Sequence, residues 1–420
     1  MASSDHRCRH DSVPMLSPPP LPEVVLTASP DGPITAYDPY SGTVVGRFNG
    51  NRCPRNGICI LGNDVFAVTH ISPETGAGSV HIYYWWSTSC IKSVPLPEPV
   101  APLVASVDGS YIFSGGISGQ IHSVVVDSGD VIRSFPAHEK PVSCLAINYD
   151  GSLILSGSDD GTIAVIPIFL LLDASFDADS RYSSYTRFTG HESSVTGLTT
   201  GVGRCGGIMI SCSLDCTCKV WTLVNGIHLQ TVRFPDEVWC MVLNPSETEL
   251  FVAGIEGMIY KRKLKVDMRK QVAGGGKTVV WAKMHGGGVV AMEMLGYGRI
   301  LLTVSENGEI CAWQVDGGKM MCGFGEKIGG VSGVVVANGD GGFGKREVGS
   351  GECGGYGGGE EMGKAVKEVA EMEDALKVAV EDRSRAISNL ESAIEINEKM
   401  LKLMLREAKA IAKFNDSSNN

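Results

Sequence analysis

The sequence lacks the features that mark secretion, membrane insertion or broad nucleic-acid binding. Residues 1–23 contain no apolar core of the signal-peptide type, and the longest apolar run, Ile163 to Leu172, is about half of a membrane span. Lys and Arg number 36 against 47 Asp and Glu, a net charge of −11 that argues against a wide phosphate-binding surface. We therefore expect no secretion signal and no membrane partner, and direct contact with RNA or DNA stays open.

Metal-site and enzyme motifs are also missing. The 13 cysteines are odd in number and irregularly spaced, which predicts reduced thiols rather than a disulfide framework. Cys212, Cys216 and Cys218 lie close together, but they occupy strand and turn positions of a repeat, so we predict no metal there. The sequence has no acid–base pair of carboxylates, nucleophile elbow or intact phosphate loop. These absences predict a protein that is not an enzyme and uses no cofactor.

One stretch, from Thr189 to Trp221, sets the pattern for most of the chain. It begins with Gly190-His191, continues with alternating apolar residues, and ends with Asp215 in a turn and Trp221 in a strand. This is the layout of a WD repeat, in which the indole, a strand hydroxyl, the histidine and the turn aspartate form a buried chain of hydrogen bonds. His191 and Asp215 are therefore predicted to stabilise a blade, with a catalytic pair as the alternative.

Segments resembling the end of this stretch recur along the chain. We call each such segment a closure, and there are seven of them including the first. The other six begin at Ser29, Gly78, Ile117, Ser158, Ile255 and Ser305. Seven closures predict an all-β, seven-bladed WD-repeat propeller over residues 23–337. In two of these blades a histidine precedes the turn by 22 residues, close to the spacing in the strongest repeat. The predicted structural blade residues are His138, Asp160, His191, Asp215, Trp221, His285, Asn307 and Trp313.

The two ends of the propeller are predicted to share a blade. Only one strand, Val24 to Ala28, precedes the first closure, whereas a blade needs four. The segment from Val331 to Ala337 follows the last closure and could supply the missing inner strand. Such pairing would close the ring and remove exposed sheet edges.

Three segments depart from the regular repeat. The stretch between Phe169 and Arg187 is longer than a hairpin needs and predicts a surface loop that could contact a partner. Gly274 to Thr278 resembles the end of a phosphate-binding loop but lacks its first glycine, so we interpret it as a flexible turn. The basic residues from Lys261 to Lys263, with Lys265, predict a solvated strand edge, with phosphate or an import receptor as the alternative ligand.

Composition divides the remainder of the chain. Residues 1–22 are predicted to form a flexible leader, and residues 338–359 a Gly-rich linker. Residues 360–414 are rich in Ala, Glu, Lys, Leu and Met, which predicts a long C-terminal α-helix of coiled-coil type. Residues 415–420 are predicted to be a disordered tail.

The apolar positions of this helix repeat in heptads, with polar interruptions. A helix of about 50 residues would extend about 75 Å, so its apolar stripe is predicted to meet another helix. A single helix folded back on the propeller is the alternative. The predicted helix–helix contacts are Val366, Val369, Leu376, Val380, Ile387, Leu390, Ile394, Asn397, Leu401, Met404 and Ile411.

Seven weak WD repeats followed by a Gly-rich linker and one long helix resemble a known family. The resemblance is carried by Leu26 to Ile34 with Gly42-Thr43, by Ser156 to Gly161, by Leu250 to Tyr260, and by the terminal helix. The chain is similar to the WD-repeat subunit of the Rix/PELP-type complex that matures the precursor of the large ribosomal subunit. It looks most like the plant members of the ROOT INITIATION DEFECTIVE type. The closures lack the Trp-Asp dipeptide of typical WD repeats, so the sequence does not determine which blades form the complete hydrogen-bond network.

The resemblance implies a non-enzymatic scaffold subunit in the nucleus and nucleolus that acts in rRNA processing and pre-60S maturation. It implies a large Rix/PELP-type scaffold protein and a TEX-type protein as partners, and homodimerisation through the terminal helix. Relatives are also linked to replication licensing, and the plant members to meristem and root development. The alternative is a substrate receptor of a ubiquitin ligase, although Trp221-Thr222 and Trp313-Gln314 lack the Trp-Asp-x-Arg element common in such receptors.

Overall fold

A computed structural model describes most of the propeller region. The described residues are 23–49, 52–62, 65–85, 87–173, 185–202, 207–223, 225–267, 272–280, 285–325 and 330–338. The predicted leader, the linker after residue 338, the helix of residues 360–414 with all its contact positions, and the tail lie outside these residues. The described chain contains no helix that is both long and apolar enough to span a membrane.

The described residues form 28 strands in seven four-stranded sheets, which we number as blades in chain order. This confirms the predicted seven-bladed propeller. Blade 1 contains β1 (Glu23–Ala28), β2 (Ile34–Tyr37) and β3 (Val44–Phe48). Blade 2 contains β4 (Ile58–Leu61), β5 (Val65–Ile71), β6 (Gly78–Tyr84) and β7 (Lys92–Pro95). Blade 3 contains β8 (Val100–Ala105), β9 (Tyr111–Gly116), β10 (Gln120–Val125) and β11 (Val131–Pro136).

The next two blades carry the strongest repeats. Blade 4 contains β12 (Val142–Ile147), β13 (Leu153–Ser158), β14 (Thr162–Pro167), the short helix α1 (Ile168–Leu172) and β15 (Thr186–Thr189). Blade 5 contains β16 (Val195–Thr200), β17 (Ile208–Ser213), β18 (Thr217–Thr222) and β19 (His228–Arg233).

The last two blades precede the strand that returns to blade 1. Blade 6 contains β20 (Val238–Leu243), β21 (Glu249–Gly254), β22 (Ile259–Asp267) and β23 (Val272–Val280). Blade 7 contains β24 (Val289–Leu295), a 3-10 turn (Gly296–Gly298), β25 (Ile300–Ser305), β26 (Ile310–Gln314) and β27 (Lys319–Phe324). The final strand is β28 (Gly333–Asn338).

The ring closes through β28, as the missing strand of blade 1 predicted. β28 pairs antiparallel with β1, with Val25 opposite Val336 and Thr27 opposite Val334, and the sheet has the order β28-β1-β2-β3. The innermost strands β28, β4, β8, β12, β16, β20 and β24 contact one another in sequence around the ring. Asn338, predicted as the first linker residue, is the last residue of β28.

The connections between strands lie on two opposite faces of the ring, because consecutive strands are antiparallel. The histidine face carries the connections between second and third strands and those between blades, including His138 and His191. The turn face carries the connections between first and second strands and between third and fourth strands.

Tight turns between the strands depend on glycine where the next blade approaches. Gly161, between β13 and β14, has a φ of +77°, and a Cβ there would lie 2.4 Å from the carbonyl oxygen of His191. An L-residue would meet both an unfavourable backbone conformation and a clash with blade 5. The Asp-Gly turn is therefore needed for close packing of neighbouring blades.

The interpretation of Gly274 to Thr278 as a flexible turn was wrong. These residues lie within β23, which pairs with β22 in an extended hairpin. The register shifts between Arg262 and Leu264, and a Cβ at Gly275 would lie 2.2 Å from the carbonyl oxygen of Lys263. The glycines thus permit a bulged strand pair.

Candidate functional site

Blade 5 contains the complete predicted hydrogen-bond chain. The Trp221 indole N–H donates to Ser211 Oγ over 2.9 Å, and Ser211 Oγ lies 2.7 Å from His191 Nε2. His191 Nδ1 lies 2.8 Å from Asp215 Oδ2. If Ser211 donates to Nε2, the imidazole must carry its proton on Nδ1 and donate it to the aspartate. The network therefore links the connection that precedes blade 5 to the second strand, the following turn and the third strand of that blade.

The order serine–histidine–aspartate also occurs in hydrolases, but here the serine is enclosed. Ser211 is 0% exposed and His191 4% exposed, and the serine hydroxyl is already shared by the indole and the imidazole. A hydrolytic serine must reach a substrate carbonyl beside an oxyanion site. The geometry of these residues supports a role in holding blade 5 together.

Blade 4 has a histidine, a serine and an aspartate at the same positions, with a threonine inserted in the chain and Ile166 at the position of the tryptophan. His138 Nε2 lies 2.7 Å from Ser156 Oγ, and its Nδ1 lies 2.7 Å from Thr162 Oγ1. Thr162 donates to Asp160 Oδ1 over 2.5 Å, whereas Asp160 Oδ2 is 3.7 Å from His138 Nδ1. His138 and Asp160 are thus brought together through the threonine hydroxyl.

Blade 7 has the histidine and tryptophan of the prediction, but a glutamate lies near the imidazole in place of the predicted asparagine. Trp313 donates to Thr303 Oγ1 over 2.9 Å, and His285 Nε2 lies 2.8 Å from the same oxygen. The predicted partner Asn307 is exposed at the turn and makes no hydrogen bond to His285. The carboxylate nearest His285 Nδ1 in the described structure is Glu309, at 3.7 Å. Glu309 occupies the position of Thr162 and Thr217, and its longer side chain reaches toward the imidazole.

A fourth network, in blade 3, was missed by the sequence analysis. His122 Nε2 lies 2.9 Å from Glu98 Oε1, and its Nδ1 lies 2.8 Å from Ser134 Oγ. Glu98 also accepts hydrogen bonds from the N–H and hydroxyl of Ser118. The acid stands on the connection between blades and the histidine on the third strand, the reverse of blades 4 and 5. A histidine within the closing segment was the available signal.

The described residues that line the central channel include few ionisable side chains. The channel has a volume of about 220 Å³ and is lined by all seven inner strands, with Glu293 as its one carboxylate among the described residues. Burial raises the pKa of Glu293 to about 7. On the histidine face, Arg55 reaches across the ring and donates to the carbonyl of Trp239 over 2.6 Å. Within the described chain, no three His, Cys, Asp or Glu side chains are grouped to hold a metal ion.

The blade histidines predict loss of stability in mild acid. Burial lowers the pKa of His138 from 6.5 to about 4, against the opposing charge of Asp160. The unfolded chain therefore binds a proton below pH 6.5 that the folded chain does not, and stability falls as pH drops through this window. Between pH 7 and pH 5 we expect His138 to account for a loss of about 2 kcal/mol. Thermal unfolding at the two pH values measures it.

A matched pair of variants separates this contribution from other acid effects. His138→Gln should be less stable than the wild type at pH 7 but lose less stability on going to pH 5. Burial and the nearby Lys219 also lower the pKa of His228, an exposed histidine on β19, so His228→Gln should reduce the slope too, but by less than His138→Gln. Equal slopes for the wild type and His138→Gln would contradict the prediction.

Comparison with known proteins agrees with this architecture. Residues 129–166 and 182–222 match the family model "WD domain, G-beta repeat", and they contain the blade 4 and blade 5 networks. The chain is 30% identical over 294 residues to Protein ROOT INITIATION DEFECTIVE 3 of Arabidopsis thaliana, covering 69% of this chain and 65% of that protein. It is 26% identical over 231 residues to the pre-rRNA-processing protein crb3/ipi3 of Schizosaccharomyces pombe, covering 54% and 51%.

A human protein is also similar in sequence to this chain. WD repeat-containing protein 18 of Homo sapiens is 24% identical over 248 residues, covering 58% of this chain and 55% of the human protein. The chain thus spans less than two thirds of the length of each of these relatives.

The closed ring and the buried blade networks define a WD-repeat propeller protein. Within that class, the chain is a homologue of plant ROOT INITIATION DEFECTIVE 3 and of the fungal crb3/ipi3 pre-rRNA-processing proteins. This confirms the family resemblance found in the sequence.

Proposed function

We propose that this protein is a non-enzymatic scaffold subunit of a nuclear complex that processes rRNA and matures the large ribosomal subunit. The observation that carries the proposal is its similarity to several proteins named for pre-rRNA processing. The buried blade networks add support, because they use their polar groups within the blades and leave surfaces, not a reaction centre, for partners.

The proposed partners are a large Rix/PELP-type scaffold protein, a TEX-type protein and the pre-60S particle. We place the protein in the nucleolus and nucleoplasm, with replication licensing and meristem or root development as further roles. Homodimerisation is assigned to the helix of residues 360–414. Its heptads place Leu390 and Ile394 at adjacent seam positions.

The test is affinity purification from nuclei that contain two differently tagged copies of the full chain. We expect each copy to recover the other, together with large-subunit precursors and a large scaffold protein. Depletion of the protein should cause precursors that retain rRNA spacers to accumulate. Recovery of a ubiquitin ligase in place of pre-60S proteins would overturn the proposal.

A chain that ends at residue 359 serves as the control for the helix. It should lose the second copy but keep its propeller-dependent partners. Retention of the second copy by this shorter chain would exclude the helix as the dimer contact. The role in rRNA processing would still be tested separately, by the accumulation of rRNA precursors on depletion.

A further inference from the structure

The turn face of blades 3 and 4 exposes three large apolar side chains. Val107 is 72% exposed in the β8–β9 turn, Tyr149 is 66% exposed in the β12–β13 turn, and Phe169 is 59% exposed in α1. Aspartates occupy the same turns and the end of the helix. We name this surface the blade 3–4 patch, defined by Val107, Asp108, Tyr149, Asp150, Phe169 and Asp173.

The patch is continuous across the boundary between the two blades. A Cβ at Gly151 would lie 2.7 Å from Val107 Cγ2, so the blade 4 turn packs directly on the blade 3 turn. The Ile168 N–H donates to the Ser152 carbonyl over 2.9 Å, which joins the start of α1 to that same turn. The exposed side chains therefore stand on one connected surface.

The two turns have the same construction. Asp108 Oδ1 accepts the Ser110 N–H over 3.2 Å, and Asp150 Oδ1 accepts the Ser152 N–H over 3.1 Å. In each case the apolar residue directly precedes the aspartate. These local bonds fix each turn from within and hold an apolar side chain next to a carboxylate at the surface.

The described connections on this face carry charge of one sign. In the described connections of blades 3 and 4 on the turn face, every charged residue is an aspartate. They are Asp108, Asp127, Asp130, Asp150 and Asp173. Ser106 and Ser110 hold the pKa of Asp108 below its usual value, so this carboxylate is ionised at neutral pH.

Two cations reach this face and donate to backbone carbonyls. Lys92 Nζ donates to the carbonyls of Val126 and Asp127, at 3.0 and 2.5 Å. Arg133 donates to the carbonyls of Leu170 and Asp173, at 2.8 and 2.7 Å. Five aspartates against these two cations leave a net negative charge around the apolar side chains in the described part of this face.

We propose that the blade 3–4 patch docks a basic segment of a partner protein. A large apolar side chain of that segment packs against Tyr149 and Phe169, and flanking Lys or Arg residues pair with the aspartates. Exposed apolar patches mark contact sites, and complementary charge sets the partner and speeds its association. RNA is disfavoured because its phosphates would face the carboxylates. This inference holds whether or not the protein acts on pre-rRNA.

The test uses the full chain and a fluorescent 12-residue peptide of alternating Lys and Leu as probe. Anisotropy should show saturable binding that weakens with added salt. Peptides of equal length made of Lys and Ser, or of Glu and Leu, should bind about tenfold more weakly, because each lacks one of the two required features.

Two double variants locate the site. Tyr149→Ser with Phe169→Ser should weaken binding about tenfold by removing the apolar anchors. Asp108→Asn with Asp150→Asn should weaken it about threefold to tenfold, while asparagine Oδ1 can still accept the turn hydrogen bonds. Thermal unfolding of each variant verifies that the propeller remains folded.

The matched controls lie on the turn face of blade 7. Tyr297→Ser removes a side chain that is 91% exposed, and Asp316→Asn removes an exposed charge outside the patch. Both should bind the probe within about twofold of the wild type. Unchanged binding by the patch variants, or an equal loss in the controls, would overturn the proposal. A lower molecular mass of the assembly in solution for Tyr149→Ser with Phe169→Ser would also overturn it, because the patch would then bind a second copy of this chain.

Discussion

A chain that ends at residue 329 is expected to lose cooperative folding, because it lacks β28. This strand supplies the inner edge of blade 1 and contacts both β24 and β4. Its removal would expose the unpaired edge of β1 and buried side chains of the cluster that contains Val334, such as Val25, which is 0% exposed in the closed ring. We expect aggregation and loss of a sharp thermal transition, measured by calorimetry and size-exclusion chromatography.

A chain ending at residue 345 is the matched control for this truncation. It lacks the C-terminal segment but retains β28, and it should unfold in a single sharp transition. A peptide of residues 330–345, added to the shorter chain, should restore part of that transition if edge pairing is the missing interaction. A cooperative transition in the shorter chain alone would show that the ring does not depend on this closure.

Ring closure was predictable from the sequence because it follows from strand counting. One strand before the first closure and one surplus segment after the last leave few ways to complete a blade. Edge pairing and burial of the valines favour the same register, and β28 pairs with β1 accordingly. The repeats place the backbone reliably since each blade buries the same apolar pattern against its neighbours.

The side-chain networks were predictable only where the residue types match the repeat. Blade 5 has every member of the hydrogen-bond chain, whereas blade 7 places Glu309 near His285 and leaves Asn307 exposed. Spacing locates a residue on a turn but does not determine which side chain reaches the imidazole. The blade 3 pair of His122 and Glu98 reverses the usual positions, so a search for histidine before the turn passes it over.

Two local features depended on tertiary context. The apolar run from Ile168 to Leu172 contains too few residues to distinguish helix from strand, and it forms α1 with Leu170 and Leu171 buried. Gly274 to Gly276 have a composition typical of a turn, but pairing with β22 holds them in a bulged strand. In both cases contacts with neighbouring strands outweigh local preference.

The second large effect concerns His191, whose replacement by alanine is expected to destabilise the propeller by about 3 kcal/mol. The histidine is 4% exposed and joins Ser211 to Asp215 in blade 5. Alanine would leave a buried hydroxyl and a partly buried carboxylate without this partner, and the penalty for such groups exceeds the net value of one hydrogen bond. Urea unfolding of the variant and the wild type measures the difference.

Two further variants, Trp221→Phe and His228→Ala, test whether the loss of stability comes from the network around His191. Trp221→Phe removes the indole donor to Ser211 and part of a buried ring but leaves the contact between His191 and Asp215, so it should cost about 1 to 2 kcal/mol, less than His191→Ala. His228→Ala alters an exposed histidine of the same blade and should cost less than about 1 kcal/mol. If His191→Ala cost no more than His228→Ala, the buried network could not be the source of blade stability. The contact between a histidine and a strand hydroxyl that blades 4, 5 and 7 share would then have to be explained by packing of the imidazole alone.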